Sequence, residues 1–256
     1  MRQTQVGVAA VEAVGPYRRI RLDAPDLAPA LEPGRAILAA RPESYLRRAW
    51  WPCALDGDGL AILTHPAQVA WLRAGDRVDV LGPVGRGFRV QDASRNLLPV
   101  AAGRSAPDPD LGPLLPLVDR ALAAGRSATL AYAARSAGQA YPISALPPAL
   151  EVILAIDADV IDLLSEAIAW ADQVLACGPP DFAARLAERI DAIRFPAPRG
   201  FAQVLRPVDL PCGVGACGVC RTGSRLACLE GPVFELPTRR RDGFTAKPRR
   251  SPGSHR

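Results

Sequence analysis

Four cysteines and four glycines share one short stretch near the C-terminus, Leu210-Pro-Cys-Gly-Val-Gly-Ala-Cys-Gly-Val-Cys-Arg-Thr-Gly-Ser-Arg-Leu-Ala-Cys228. The thiols fall at Cys212, Cys217, Cys220 and Cys228, a C-x4-C-x2-C run followed by a fourth cysteine after seven further residues. No other feature restricts folding as tightly, because soft ligand atoms at fixed spacing are most useful when gathered around one group. Gly213, Gly215, Gly218 and Gly223 supply backbone that tolerates positive φ and close approach to whatever the thiolates surround.

Three chemistries compete for such a stretch. The first three cysteines have the spacing of plant-type [2Fe–2S] proteins. Structural zinc usually takes two paired knuckles separated by a longer stretch, and here the second half holds Cys228 alone. Disulfides need an oxidising compartment, and the N-terminal Met-Arg-Gln-Thr-Gln-Val lacks the apolar run of a secretory signal. The reading is therefore one [2Fe–2S] cluster on these four thiolates in a cytoplasmic protein, with zinc and disulfides as the weaker alternatives.

The chain has 256 residues, 49% of them hydrophobic, and a mean hydropathy of +0.07, enough for two domains with substantial cores. No stretch approaches the ~18 apolar residues of a membrane span. The net charge of +5 comes from the C-terminus, where seven Arg and Lys residues follow Thr238 against Asp242 alone. Without that arm the body is close to neutral. The arm reads as solvated and disordered, and with no aromatic residues interleaved it gives little support to nucleic-acid binding.

Up to about residue 92 the chain shows short apolar runs at 6–14, 17–22, 36–40, 60–64 and 77–81, punctuated by Gly and Pro. That pattern predicts an antiparallel β-barrel. Over 93–198 the runs at 97–102, 128–133, 151–156 and 173–177 are continuously apolar, as in parallel strands buried on both faces. Helical stripes fall between or after them: Leu114, Leu115, Val118, Ala121 and Leu122; then Ile161, Leu164 and Ile168; then Phe182, Leu186, Ile190 and Ile193. This predicts a doubly wound α/β domain. Residues 199–237 form the cluster-binding segment, led in by a strand at 201–205, and 238–256 the basic tail. The expected class is multidomain α+β.

This order, with Ala24-Pro-Asp-Leu27, Pro33-Gly34, Leu81-Gly-Pro-Val-Gly-Arg-Gly-Phe88, Val174-Leu-Ala-Cys-Gly-Pro179, the cysteine loop and Ala227-Cys-Leu-Glu-Gly-Pro-Val-Phe234, resembles the electron-transfer subunit of two-subunit dihydroorotate dehydrogenase, within the ferredoxin–NADP reductase superfamily. The resemblance implies FAD on the barrel, NADH on the α/β domain, and a cluster passing single electrons to the FMN of a catalytic subunit, hence a place in pyrimidine biosynthesis. It also implies candidate residues. Arg47, Arg48, Trp50, Trp51 and Gly82 correspond to the flavin region, and Gly103, Cys177, Gly178 and Pro179 to the nucleotide region.

The chain departs from the family pattern in both regions. Where the family has an Arg-Pro-aromatic-Ser strand, this chain reads Arg47-Arg-Ala-Trp-Trp-Pro-Cys-Ala54, which places Trp51 for the Arg and Ala54 for the Ser. Alanine offers no side-chain hydrogen bond. A flavin site and a strand with two packed tryptophans are both open readings. The loop after the first α/β strand carries Asp108 and Asp110, whose charges oppose an anionic dinucleotide, with Arg104 as a partial offset. NAD(P)H binding is accordingly expected to be impaired. Cys177 lies either near a redox ring or in the core as a small hydrophobe, and Cys53 is expected as a buried thiol. No catalytic constellation is expected. A scaffold that keeps its cluster for structure is the alternative to electron relay.

Overall fold

The computed structural model describes residues 1–40, 45–103 and 110–238. Seven strands form the first sheet: β1 (Arg2–Val14), β2 (Tyr17–Asp23), β3 (Ala36–Ala39), β4 (Arg48–Trp50), β5 (Pro52–Asp56), β6 (Gly59–Thr64) and β7 (Arg77–Val84). Their order is β4-β3-β7-β1-β2-β6-β5, and every pair is antiparallel. The two ends of that order are consecutive in the chain. At Trp51 the backbone passes from pairing with β3 to pairing with β6, so the sheet closes as a barrel. Alternation turns Val78 and Val80 of β7 inward, toward a core that includes Val6, Ile20, Ile37, Trp50 and Ile62. The tight turn Gly15-Pro16 joins β1 to β2 across the Val14–Tyr17 pair, and Gly15 takes the positive φ of 55° that such a turn asks for.

The second sheet contains β8 (Asn96–Ala101), β9 (Ser127–Ala134), β10 (Glu151–Ile156), β11 (Gln173–Cys177) and β12 (Ala202–Leu205). After the small hairpin β13 (Arg221–Thr222) and β14 (Arg225–Leu226) comes β15 (Val233–Glu235). The order β10-β9-β8-β11-β12-β15 is parallel except at β15. Helix α1 (Leu115–Ala123) covers one face, over Leu97, Leu130 and Tyr132. Helices α2 (Ser165–Trp170) and α3 (Pro180–Ile193) cover the other, over Leu98, Val100, Ala131 and Val174. A barrel followed by a doubly wound sheet agrees with the sequence reading.

Two connections position the site. Residues 85–95 run between the sheets and are clasped by buried glutamines. Gln173 Oε1 accepts the Gln91 N–H at 3.0 Å, and its Nε2 donates to the carbonyls of Arg89 and Gly200 at 2.8 and 3.1 Å. Gln203 accepts from the Arg89 N–H and donates to the Arg89 carbonyl. Residues 206–232 leave the second sheet at Leu205 and return at Val233, which pair directly. This excursion carries α4 (Ala227–Glu230) and all four clustered cysteines. It packs on the barrel: Leu210, Cys220, Ala227 and Cys228 share a core with Ala36, Leu38, Ala49 and Val84. Tail residues 239–256, Arg104 and Asp108 lie outside the described residues.

Candidate functional site: the cysteine lobe and the junction beside it

The excursion folds tightly because its glycines pass through left-handed backbone, with φ of 68° at Gly213 and 79° at Gly215. A Cβ on Gly215 would stand 2.6 Å from Leu229 Cδ1. These turns aim donors at sulfur. The backbone N–H of Cys217, then those of Val214 and Ala216, with the Cys217 thiol, surround Cys212 and draw its pKa down to about 6. Cys220 donates to Cys228 at 3.3 Å between sulfurs. Burial, and next its contact with Cys220, push Cys228 up to about 11, although the Gly215 N–H opposes that shift. Cys220 and Cys228 are buried, Cys212 is intermediate and Cys217 is exposed. Among the described residues no three Cys, His, Asp or Glu side chains converge as ligands of a single ion. The four thiols nevertheless share one lobe, with inward N–H groups, and this donor set suits an anionic group spread over several sulfurs.

The barrel residues implicated in flavin binding do not converge. Arg47 pairs with Asp79 and donates to its carbonyl, while Arg48 donates to Gln68. Trp50 is 3% exposed inside the barrel, and Gly82 sits under Ile37, whose Cγ2 would be 2.9 Å from an added Cβ. Trp51 lies between the core beneath α1 and the core beneath the cysteine lobe. Its Nε1 is buried with no hydrogen-bond partner among the described residues.

Across the junction, Cys53, Ala61 and Leu63 of the barrel pack directly on Leu111, Leu114 and Leu115. A Cβ placed on Gly112 would lie 3.8 Å from Leu63 Cβ and 3.9 Å from Cys53 Cβ, ordinary contact with nothing between. A planar ring needs about 7 Å between the atoms flanking it, twice a van der Waals separation. The described residues at this junction therefore do not fit a flavin ring. Burial pushes the Cys53 thiol up to about 12, against the lowering charge of Arg19. That is an inert, protonated sulfur. The sequence offered Leu114 and Leu115 as a helix stripe but gave no sign that they meet the barrel, because that contact is long-range.

The nucleotide candidates do come together. Gly103 lies just past β8, Cys177 ends β11 and Gly178 and Pro179 follow it; these are the adjacent strands at which the sheet order reverses. Open α/β sheets bind ligands at such a switch point. Gly103 has φ 76°, and any Cβ there would fall on the Ala133 carbonyl. Gly178 donates its N–H to the Leu205 carbonyl at 3.1 Å and packs under Ala102 and Phe182. Cys177 is 1% exposed, and its sulfur is 4.0 Å from Oδ1 of the buried Asp110. Burial, then the Asp110 charge, raise the pKa of Tyr17 nearby. A cavity of about 60 Å³ lies by Tyr17, Gly103 and Arg135.

A barrel, a doubly wound sheet and their stacking side by side define a ferredoxin–NADP reductase-like fold. No family model matches the chain. The solved NADH-dependent reduced ferredoxin-NADP oxidoreductase, described in terms of flavin-based electron bifurcation, superposes with a TM-score of 0.75 over 90% of this chain and 87% of its own, at 17% identity. The ferredoxin reductase in carbazole 1,9a-dioxygenase superposes with a TM-score of 0.63, over 79% and 68% at 17% identity. These likenesses establish the fold, one shared with flavin-dependent reductases.

Among curated proteins, the dihydroorotate dehydrogenase B (NAD(+)) electron transfer subunit of Geobacillus thermodenitrificans is 30% identical over 244 residues, 79% of this chain and 84% of the relative. The probable counterpart in Thermococcus kodakarensis is 28% identical over 64% of this chain and 67% of its own. The match to the Pyrococcus abyssi counterpart spans 62% of that relative. The chain belongs to the family of dihydroorotate dehydrogenase B electron-transfer subunits.

Proposed function

We propose that this chain is the electron-transfer component of a two-subunit redox enzyme, binding one [2Fe–2S] cluster through Cys212, Cys217, Cys220 and Cys228. The observation that carries the reading is the cysteine lobe: four thiols on one excursion, left-handed glycines between them, and backbone N–H groups turned toward Cys212 and Cys228. When bound, such a cluster takes up and gives back one electron at a time. The chain's part is to hold it anchored and close to the surface. Leu210, Ala227 and the buried Cys220 and Cys228 anchor the lobe on the barrel. Cys217 stays exposed beside Val214, Val219 and Leu229, which are 48%, 63% and 49% exposed. That edge is apolar enough to meet a partner. The named relatives make a dihydroorotate-dehydrogenase-type subunit the candidate acceptor and pyrimidine biosynthesis the setting. Family and fold imply FAD and NADH as ligands; the described junction does not fit the flavin ring, whereas Gly103, Cys177, Gly178 and Pro179 come together at the β8–β11 crevice as the nucleotide candidates. Among the described residues no helix is long and apolar enough to cross a membrane.

Iron and acid-labile sulfide analysis of anaerobically purified protein tests the reading, together with visible absorption and EPR after dithionite reduction. Two irons and two sulfides per chain, with the reduced [2Fe–2S] signal, are expected. Stoichiometric zinc without iron would overturn it.

A further inference from the structure

We infer that the space between barrel and α/β sheet, where a reductase of this fold would seat a flavin ring, is filled by this chain's own residues, so that the chain carries no flavin and accepts electrons singly. Trp51 stands where the core of the junction meets the core beneath the cysteine lobe. Behind it, the turn at Leu111, Gly112 and Leu114 is pressed onto Cys53 and Leu63, with Leu111 4% and Leu114 0% exposed. Direct hydrogen bonds cross the junction around this plug. Arg19 donates to the Tyr141 hydroxyl at 2.7 Å, Tyr17 donates to the Gln139 carbonyl at 3.1 Å, and Arg120 donates to the Leu31 carbonyl at 3.3 Å. Seating a ring there would require breaking these bonds and pulling apart a close-packed apolar core.

Three of the side chains at the positions that would contact a flavin are also without a donor or engaged. Ala54 has no donor, and Arg47 and Arg48 are held by Asp79 and Gln68. Trp51 adds bulk, and its buried Nε1 finds no acceptor among the described residues.

The consequence concerns the donor, and it rests on the cluster proposed above, whereas the closed seat does not. Reduced nicotinamide surrenders a hydride, two electrons with a proton, and needs a two-electron acceptor. A [2Fe–2S] centre takes one electron and no hydride. Without a flavin to receive the pair, the electron must come from a one-electron carrier, such as another iron–sulfur protein, which is oxidised by one electron per encounter with no bond made or broken in this chain.

The test is flavin stoichiometry. Anaerobically purified full-length protein is incubated with excess FAD, desalted and denatured, and released flavin is measured beside iron in the same sample. The expected result is no retained FAD, a visible spectrum unchanged by NADH, and full bleaching by reduced methyl viologen. The double variant Trp51→Arg with Ala54→Ser should stay flavin-free, because Leu111 and Leu114 still fill the seat. One FAD per chain in the wild type overturns the inference, and stoichiometric uptake by the double variant overturns its packing basis. Absence of iron would defeat the cluster proposal while leaving the flavin result intact.

Discussion

Asp172 Oδ2 accepts the backbone N–H of Arg95 and of Asn96, at 2.8 and 2.9 Å, and so fixes the start of β8 beside β11. The Asn96 bond first, then that of Arg95, holds this carboxyl below its ordinary range. A carboxylate with a depressed folded-state pKa contributes stability that is present above its unfolded value of about 3.9 and lost as pH falls through the folded value. Asp172→Ala is expected to lower stability by about 1.5–3 kcal/mol near neutral pH, the usual range for charge-assisted bonds. Urea titrations at several pH values check this, and the difference between variant and wild type should shrink below about pH 4. An unchanged difference at acid pH would assign the effect to something other than the carboxylate charge. At this same scale the glycines between the cysteines were legible in the sequence, because a need for positive φ is a local property. The partners of Arg47 and Arg48 and the burial of Trp50 were not legible there. Whether an arginine is free or paired, and which way a tryptophan points, depends on strands far away in the chain.

Strands β10 and β11 coincide with their apolar runs, and the stripe at Phe182, Leu186 and Ile190 is the buried face of α3. Hydrophobic periodicity was enough there, since one element's burial decides its pattern. Strand β15 escaped notice because its three residues carry too short a pattern, and the corner at Trp51 because β4 and β5 read as one strand. The glutamine clasp was equally illegible. Gln173 looks like a polar strand end, yet it is 0% exposed and bonds to Gln91, Arg89 and Gly200. Gln173→Leu keeps the volume and strands these backbone groups without partners, at about 1–3 kcal/mol for each one left buried. The expected result is a loss of about 2–4 kcal/mol in denaturant unfolding, with early proteolysis in residues 85–95. A variant as stable as wild type would show that water replaces the clasp.

The two sheets share a core: Cys53, Ala61 and Leu63 of the barrel and Leu97, Leu114 and Leu130 of the α/β half belong to one buried cluster. Such continuity predicts one cooperative unfolding transition, with tryptophan fluorescence and far-ultraviolet circular dichroism changing together. Leu114→Ala removes side-chain atoms from the centre of that cluster and should cost about 2–5 kcal/mol. If the two probes separate in the wild type, the halves are independent and the junction contributes little. The cysteine lobe stands in a different relation to the whole. Its ends, Leu205 and Val233, are paired neighbours on β12 and β15, and the Arg206 N–H meets the Pro232 carbonyl at 3.0 Å just outside them. An excursion that departs and rejoins at one rung can be exchanged for a short turn without altering the rung, and the barrel surface it covers includes Ala36, Leu38, Ala49 and Val84. In evolutionary terms the lobe is a cassette. A lineage could gain, lose or replace it in one event, and the apolar barrel residues it covers would record which had happened.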